Sequence, residues 1–264
     1  MVDLGVSLLV LGAAVLLCEA ARRAAARLLP GPAGLYLQEA ASTFQLCCCT
    51  LELQLLGVDL PVSLALTYGT TLVHLLTFRE ATCNPGAVLE RAWRGDAPRG
   101  AAVPLLLAAQ FGAAAAARSW AACVWSLGLS AAHRRHRGAG FLCSDPLGGT
   151  VPQAAAAELA CAFAVQAAAM HAHKLDEKLR AHFMAAVITA VVHTGGDISG
   201  AVFNPVLAFS VTFPCSGHTY LEYCFVYWLG PILGMASCIL LFEKILPLLS
   251  GMGAGAAAQK LKTQ

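Results

Sequence analysis

Asparagine occurs at only two positions of the chain, Asn84 and Asn204, and proline follows each of them. A buried amide is costly in an apolar medium unless it finds hydrogen-bond partners. The two asparagines that are present therefore indicate positions with a structural or functional role. Proline suits the first position of a helix, and asparagine suits the cap before it, because its side-chain oxygen can accept from a free backbone N–H. We therefore predict that each Asn-Pro pair opens a helix, with asparagine as its N-cap.

The segments after these pairs, about 85–94 and 205–213, are too short to cross a bilayer. A half-helix that begins at mid-membrane directs the positive end of its dipole into a pore or cavity. Irregular backbone persists at that depth only where protein or water lines it. A single Asn-Pro is more simply explained as a turn between helices, but two copies favour a lined cavity.

Glu39 and Glu158 are carboxylates inside apolar stretches, and the spacing from Glu39 to Asn84 matches that from Glu158 to Asn204 within one residue. This indicates two repeats, each with a glutamate-bearing span, a second span, an Asn-Pro half-helix and a third span. Three spans per repeat would invert the second copy relative to the first. A buried glutamate carries protons in some transporters, but the favoured role here is structural, holding loop backbone N–H groups.

Composition sets the class of protein that must position these residues. Of the 264 residues, 58% are apolar and 12% are charged, whereas soluble proteins average about 25% charged residues. A chain this poor in charge is predicted to be an all-α membrane protein, with the lipid bilayer as a partner. At about 20 apolar residues per spanning helix, its length allows six or seven spans and no separate soluble domain. The net charge of +2 is too small to indicate a nucleic-acid partner.

Hydropathy and charge divide the chain into an N-terminal hydrophobic segment with a basic linker (1–33), a first channel repeat (34–129), a connecting loop (130–151), a second channel repeat (152–249) and a cytosolic tail (250–264). Arginines follow the stretch 4–21, which favours an uncleaved anchor with its N-terminus outside over a cleaved leader or a helix lying on the membrane. This topology places most lysines and arginines in the cytosol, with Arg134, Arg135 and Arg137 as the exceptions in the outer loop.

The two Asn-Pro boxes in inverted repeats, with a glutamate in the first helix of each, resemble the aquaporin family. The resemblance covers about residues 34–249 and includes the segments 199–205 and 227–231 with Gly234. Within the family the chain resembles the superaquaporin branch, and its eleven-like group most, through the segments 18–23, 44–50 and 125–129. Cys215, which follows the second box, resembles the hallmark cysteine of this branch.

The resemblance implies a right-handed bundle of six spanning helices and two re-entrant half-helices, with a possible extra helix at the N-terminus. It implies a homotetrameric channel for passive permeation of water and small neutral solutes, such as glycerol and hydrogen peroxide. No enzyme activity, cofactor or metal is expected. An intracellular membrane such as the endoplasmic reticulum is expected as well, since Lys260 and Lys262 near the C-terminus fit a retrieval signal.

The predicted pore boxes depart from the family pattern, reading Asn84-Pro85-Gly86 and Asn204-Pro205-Val206 where the family has alanine third. Leu207 stands where water-selective members carry arginine, so a more apolar mouth and modest water flow are expected. The resemblance assigns the selectivity filter to Leu207, Val192, Ala201 and either Leu66 or Tyr68. It assigns structural roles to Glu39, Glu158, Cys215, Gly200, Gly230 and Gly234, of which the last two are spaced for close helix packing.

Most of the eleven cysteines lie in apolar runs, where a thiol behaves as a small hydrophobe, and no Cys or His spacing indicates a metal site. Cys143 and Cys215 alone fall in loops outside the membrane core, and a disulfide between them is the less favoured of two possibilities. Two other functions stay open. One is an ion-coupled secondary transporter that uses Glu39 or Glu158, and the other is a non-conducting scaffold whose pore is sealed by apolar side chains.

Overall fold

A computed structural model of the chain describes residues 2–96, 102–143 and 145–250, so Lys260 and Lys262 lie outside the described residues. Within these ranges the secondary structure is helical, with no strand. The helices are α1 (Val2–Leu28), α2 (Pro32–Gln54), α3 (Leu60–Thr77), α4 (Pro85–Trp93), α5 (Val103–Ser126), α6 (Ala131–Gly138), α7 (Val151–Ala172), α8 (Glu177–Ser199), α9 (Pro205–Val211) and α10 (Tyr220–Leu249). Helix α10 contains two π-helical turns, Phe225–Leu229 and Leu241–Ile245.

Four helices of the described chain, α1, α3, α7 and α10, are long and apolar enough to cross a membrane by length and composition. Helices α2, α5 and α8 are of similar length, at 23, 24 and 23 residues. Polar residues lower their mean hydropathy, and α2 buries several of its own, among them Glu39, Gln45 and Glu52. Hydropathy therefore underrates a helix whose polar groups face the protein interior rather than lipid.

The long helices pack in a pattern that brings the two Asn-Pro corners together. Helix α2 packs on α5, α7 packs on α10, and α3 packs on α8. The short helices α4 and α9 both contact α5, and they also contact each other.

Two glycines set how closely α10 approaches α7. A Cβ on Gly230 would lie 2.9 Å from the Ala155 carbonyl oxygen, and one on Gly234 would penetrate the Leu159 carbonyl oxygen. Both obstacles are backbone atoms that a rotamer change cannot move. The close contact between these helices therefore requires glycine at both positions.

Helix α1 runs antiparallel along α2 and is joined to it by polar contacts near both ends. Ser7 Oγ donates to Glu52 Oε1 at 2.5 Å, and Arg22 Nη2 donates to Gln45 Oε1 at 2.8 Å. Arg22 is fully buried, and its guanidinium also lies over the Phe78 ring. Helix α1 therefore packs along α2 through contacts at both of its ends.

The connecting segment 130–151, predicted as a loop, contains α6, which Ser130 caps by accepting from the His133 N–H. Arg134 Nη1 donates to the Gly128 carbonyl and Arg137 Nη1 donates to the Ser126 carbonyl, at 2.9 and 2.7 Å. These carbonyls lie at the C-terminal end of α5, where cationic side chains are favoured. The need to cap α5 thus explains two of the three arginines that depart from the charge rule.

Cys143 and Cys215 form a disulfide, so the expectation that favoured two free thiols was wrong. The bridge joins the segment after α6 to the segment between α9 and α10. The same two segments also meet through the backbone, where Ser216 N donates to the Cys143 carbonyl at 3.2 Å. The approach of loops that lie 72 residues apart depends on the packing of the helices between them, which no local pattern encodes.

Candidate functional site

Both asparagines are the N-caps that the Asn-Pro pattern predicts. Asn84 Oδ1 accepts from the Gly86 N–H at 2.9 Å, and Asn204 Oδ1 accepts from the Val206 N–H at 3.1 Å. Each asparagine has an extended backbone, and the proline after it begins a helix. The side chain thus satisfies a backbone donor that the first turn of a helix leaves free.

The two corners are bonded to each other. Asn204 Nδ2 donates to the Cys83 carbonyl at 2.8 Å, while Asn84 Nδ2 forms no hydrogen bond with the described residues. The N-termini of α4 and α9 therefore face one another, and their positive dipole ends converge. One amide is partly committed to the protein, and the other is available to a solute.

Glu39 fixes the backbone that leads into the first corner. Its carboxylate accepts from the N–H groups of Thr82 and Cys83 at 3.1 and 2.6 Å, and from Gln110 Nε2 at 2.7 Å. Cys83 has a φ of 51°, a left-handed conformation that is uncommon outside glycine. The bonds to Glu39 help to hold this strained residue beside Asn84.

Glu158 does the same for the second corner. It accepts from Ser199 Oγ at 2.7 Å, from the Val202 N–H at 2.9 Å and from the Phe203 N–H. Phe203, directly before Asn204, has a positive φ of 37°. Cys83 likewise has a positive φ directly before Asn84. Gly200 ends α8 with a φ of 82°, a conformation that glycine adopts without a side-chain clash.

A cavity of about 510 Å³ lies at the two corners. Eight of the predicted site residues line it: Asn84, Gly86, Val192, Gly200, Ala201, Asn204, Pro205 and Leu207. Pro85 and Val206 are buried outside the lining. The described lining residues include no Asp, Glu, Lys or Arg, so the cavity presents neutral groups.

The two residues of α3 that the resemblance offered for the filter, Leu66 and Tyr68, lie outside the lining, whereas Thr67 between them lies within it. A helix turns by about 100° per residue, so neighbouring side chains point in different directions. Tyr68 instead makes a hydrogen bond between its hydroxyl and His182 Nδ1 on α8, at 2.6 Å.

Neighbouring side chains account for the unusual third position of each box. A Cβ on Gly86 would lie 2.7 Å from Met235 Cε, because the Met235 side chain from α10 packs against this turn. Val206 is fully buried and packs in a cluster with Cys47, Cys48 and Ala114. Glycine thus makes room for a methionine, and valine fills a hydrophobic core.

Sequence reasoning missed Glu52, a fully buried carboxylate on which four helices meet. It accepts from Ser7 Oγ of α1 and from Trp125 Nε1 of α5, and His133 Nε2 of α6 lies 2.9 Å from its Oε1. No motif surrounds Glu52, and its only signal was a further carboxylate in an apolar stretch. Its role is to anchor α1 and α6 to the bundle.

A second cavity, of about 740 Å³, lies beside the disulfide and is lined by Arg118, His136 and Asp145 among others. It adjoins the first cavity, since Gln54, Gly200, Val202 and Val211 line both. Burial lowers the pKa of His136 below its usual value. Within the described ranges, no three His, Cys, Asp or Glu side chains are grouped to hold a metal ion.

Comparison with known proteins identifies relatives that match most of the chain. It is 40% identical over 239 residues to Aquaporin-11 of Homo sapiens, covering 88% of this chain and 87% of that protein. It is 37% identical over 217 residues to Aquaporin-11 of Mus musculus (80% and 79% covered), and 35% identical over 256 residues to Aquaporin-12 of Mus musculus (94% and 88%). No family model matches the chain. Because such identities extend over most of both proteins, this chain is an integral membrane channel protein that belongs to the superaquaporin branch of the aquaporin family.

Proposed function

We propose that the chain is a passive channel for water and small neutral solutes, including glycerol and hydrogen peroxide, and that the cavity at the Asn-Pro corners is its conduit. In this proposal α2, α3, α5, α7, α8 and α10 span the membrane, and α4 and α9 are re-entrant half-helices in two inverted repeats. Helix α1 adds a further span. The observation that carries the proposal is that Asn84 and Asn204 line one cavity whose described lining has no formally charged acid or base.

The mechanism follows from the groups at the corners. A solute in single file accepts hydrogen bonds from Asn84 Nδ2 and from the second N–H of Asn204 Nδ2. These bonds replace some of the hydrogen bonds that the solute made to water outside the conduit. The opposed positive ends of α4 and α9 raise the energy of a cation or proton at the same point. In this proposal Leu207, Val192, Ala201 and Thr67 form the selectivity filter, where leucine in place of arginine removes a fixed charge and a donor.

The two alternatives find less support. Neither Glu39 nor Glu158 lines the conduit cavity, and each carboxylate is already occupied by backbone and side-chain donors. A coupling carboxylate would need access to the transported ion or proton. A sealed scaffold would need an apolar plug, whereas hydroxyl and amide groups share the lining with apolar side chains.

Assembly and location complete the proposal. A homotetramer in the membrane of the endoplasmic reticulum is the form we propose, by analogy with the family. The Cys143–Cys215 disulfide supports only the location, because a bridge in an outer loop forms where that loop faces an oxidising compartment, such as the lumen of that organelle.

The test is solute flux through the purified full chain in liposomes. With stopped-flow light scattering, we expect water, glycerol and hydrogen peroxide to cross faster than through empty vesicles, without an ion gradient. Flux that saturates and requires an ion gradient would favour a transporter. Flux equal to that of empty vesicles for all three solutes would favour a scaffold.

A further inference from the structure

Arg118 is a charged side chain within a proposed spanning helix, and it forms no ion pair or hydrogen bond with the described residues. At about 1.5 Å of rise per residue, it lies about 12 Å along α5 from the end of that helix at Ser126. Its side chain is half-buried and lines the second cavity, of about 740 Å³. The buried Arg22 of α1, by contrast, donates to Glu19 and Gln45. A charge at this depth of a bilayer is costly unless it is paired, so Arg118 indicates a site for an anion.

Asp145 is the one acid among the described residues that line this cavity, and it is engaged elsewhere. Its Oδ1 accepts from the Leu147 N–H at 3.0 Å, and its Oδ2 lies 3.0 Å from His218 Nε2. No acid in the described part of the chain lies within ion-pair distance of Arg118. Its positive charge is therefore not neutralised by a contact within these residues.

Helix α6 packs on α5 and adds positive charge at the same end of that helix. Arg134 and Arg137 donate to carbonyls at the C-terminus of α5, at 2.9 and 2.7 Å, and Arg135 is exposed. His136 of the same helix lines the cavity, where its ring packs against Trp125 with centroids 4.7 Å apart. Anions that approach this end of the bundle therefore meet a positive potential.

The same cavity also presents apolar groups. Phe141 and Leu142 line it, and they are 38% and 72% exposed. Ala115 and Ala122 line it from the same face of α5 as Arg118, since residues three or four apart on a helix are neighbours. Their short side chains leave room for a hydrocarbon chain beside the guanidinium. An inorganic anion would gain nothing from these apolar groups, whereas an anionic amphiphile can use them as well as the charge.

We propose that the second cavity binds an anionic phospholipid, with its phosphate at Arg118 and its hydrocarbon against Phe141, Leu142 and the alanine face of α5. A guanidinium offers a planar fork of N–H donors that matches the oxygens of a phosphate. A choline headgroup also carries a phosphate, but its cation would face the arginines of α6, so a headgroup without a cation is favoured. The proposal takes α5 to span the membrane, as the proposed function does, and it does not depend on which solutes permeate.

The test measures the melting temperature of the purified full chain in detergent with added short-chain lipids. Dioctanoyl phosphatidylglycerol is the anionic probe, dioctanoyl phosphatidylcholine is the zwitterionic comparison, and inorganic phosphate is the soluble anion. Arg118→Gln removes the charge, and Arg118→Lys keeps the charge without the guanidinium fork. Arg27→Gln is the matched control, because Arg27 is exposed in the last turn of α1 and its loss changes the net charge equally.

For the wild type we expect phosphatidylglycerol to raise the melting temperature at about tenfold lower concentration than phosphatidylcholine, and inorganic phosphate at the same concentrations to have no effect. Arg118→Gln should abolish this preference, since one hydrogen bond to a charged group is worth about tenfold or more in affinity. Arg118→Lys should keep part of the preference, and Arg27→Gln should keep all of it. Without lipid, Arg118→Gln should melt like the wild type, because no contact with the described residues is lost.

A preference for phosphatidylglycerol that persists in Arg118→Gln, or that Arg27→Gln loses to the same extent, would overturn the proposal. Equal stabilisation by inorganic phosphate would indicate a site for a soluble anion, and a wild type that does not discriminate between the two lipids would indicate no site. Either result would overturn the proposal, as would an Arg118→Gln protein that melts well below the wild type without lipid, since Arg118 would then be a structural group. None of these results depends on transport, so absence of solute flux in liposomes would overturn the proposed channel function alone.

Discussion

Asn204 donates a hydrogen bond from its side-chain Nδ2 to the backbone carbonyl of Cys83, 2.8 Å away and directly before the first Asn-Pro corner. Cys83 in turn donates its N–H to Glu39. A continuous hydrogen-bonded path therefore runs from α2 through the first corner to the second. The relative position of the two corners is fixed by this bond as well as by the packing of the long helices.

Substitution of Asn204 by aspartate tests this bond. In Asn204→Asp the N-cap oxygen is kept, but a carboxylate would face the Cys83 carbonyl in place of a donor. We expect a loss of about 1–3 kcal/mol in the free energy of unfolding, together with reduced water flux. The control is Asn84→Asp, since Asn84 Nδ2 donates to no described residue. Equal losses of stability in the two variants, measured by thermal unfolding in detergent, would contradict the assigned role of the bond.

The carboxylate of Glu158 is predicted to be a structural group. In Glu158→Gln the new amide NH₂ would face the Val202 and Phe203 N–H donors, leaving at least one of them unsatisfied. A buried unsatisfied donor costs about 1–3 kcal/mol, so a lower melting temperature is expected. Glu177→Gln, at an exposed carboxylate in the first turn of α8, should leave the melting temperature unchanged. A Glu158→Gln protein that melts like the wild type but loses gradient-driven flux would indicate proton coupling instead.

Gly234 is predicted to tolerate no side chain. Gly234→Ala would drive a methyl group into the Leu159 carbonyl, so α10 would have to move away from α7, at a cost of about 1–3 kcal/mol. Gly112→Ala on α5 is the control, because its added methyl would meet no atom within 4 Å. Alanine is favoured over glycine in a helix by about 1 kcal/mol, so the control should be neutral or stabilising. Equal melting temperatures for the two variants would show that the α7–α10 contact is looser than described.

The disulfide predicts a difference between oxidised and reduced protein. Cys215→Ser, or reduction of the wild type, should lower the free energy of unfolding by about 2–4 kcal/mol, because the bridge restrains a long loop in the unfolded chain. Cys123→Ser, which removes an exposed free thiol, should have little effect. Labelling with maleimide under denaturing conditions provides the count of thiols. The same number of labelled cysteines before and after reduction would exclude the bridge.

The features that could be predicted from sequence are those that local chemistry determines. An asparagine before a proline is an N-cap signal wherever it occurs, so Asn84 and Asn204 could be assigned before their surroundings were known. A carboxylate in an apolar run must find donors nearby, which indicated Glu39 and Glu158. The spacing of Gly230 and Gly234 indicated that this face allows close helix packing, and in the structure backbone atoms of α7 lie where a Cβ would be.

The features that could not be predicted depend on contacts between distant segments. Glu52 meets Ser7 and His133 only because α1 and α6 fold onto the same end of α2. The cap on α5 by Arg134 and the Cys143–Cys215 bridge arise in the same way. The displacement of the α3 lining to Thr67 has a different cause. The resemblance offered Leu66 or Tyr68 for this position, and a shift of one residue is enough to move a side chain to another face of a helix.

The central claim is that solutes pass through the cavity at the two Asn-Pro corners, and blocking that cavity tests it most directly. Ile188 on α8 lines the cavity, whereas Ala186 on the same helix is exposed on the outside of the bundle. Water and glycerol permeability should be measured for Ile188→Trp and Ala186→Trp in liposomes that contain equal amounts of folded protein. The account predicts that Ile188→Trp reduces both fluxes to the level of empty vesicles and that Ala186→Trp leaves them as in the wild type. Wild-type flux through Ile188→Trp would show that the conduit lies elsewhere.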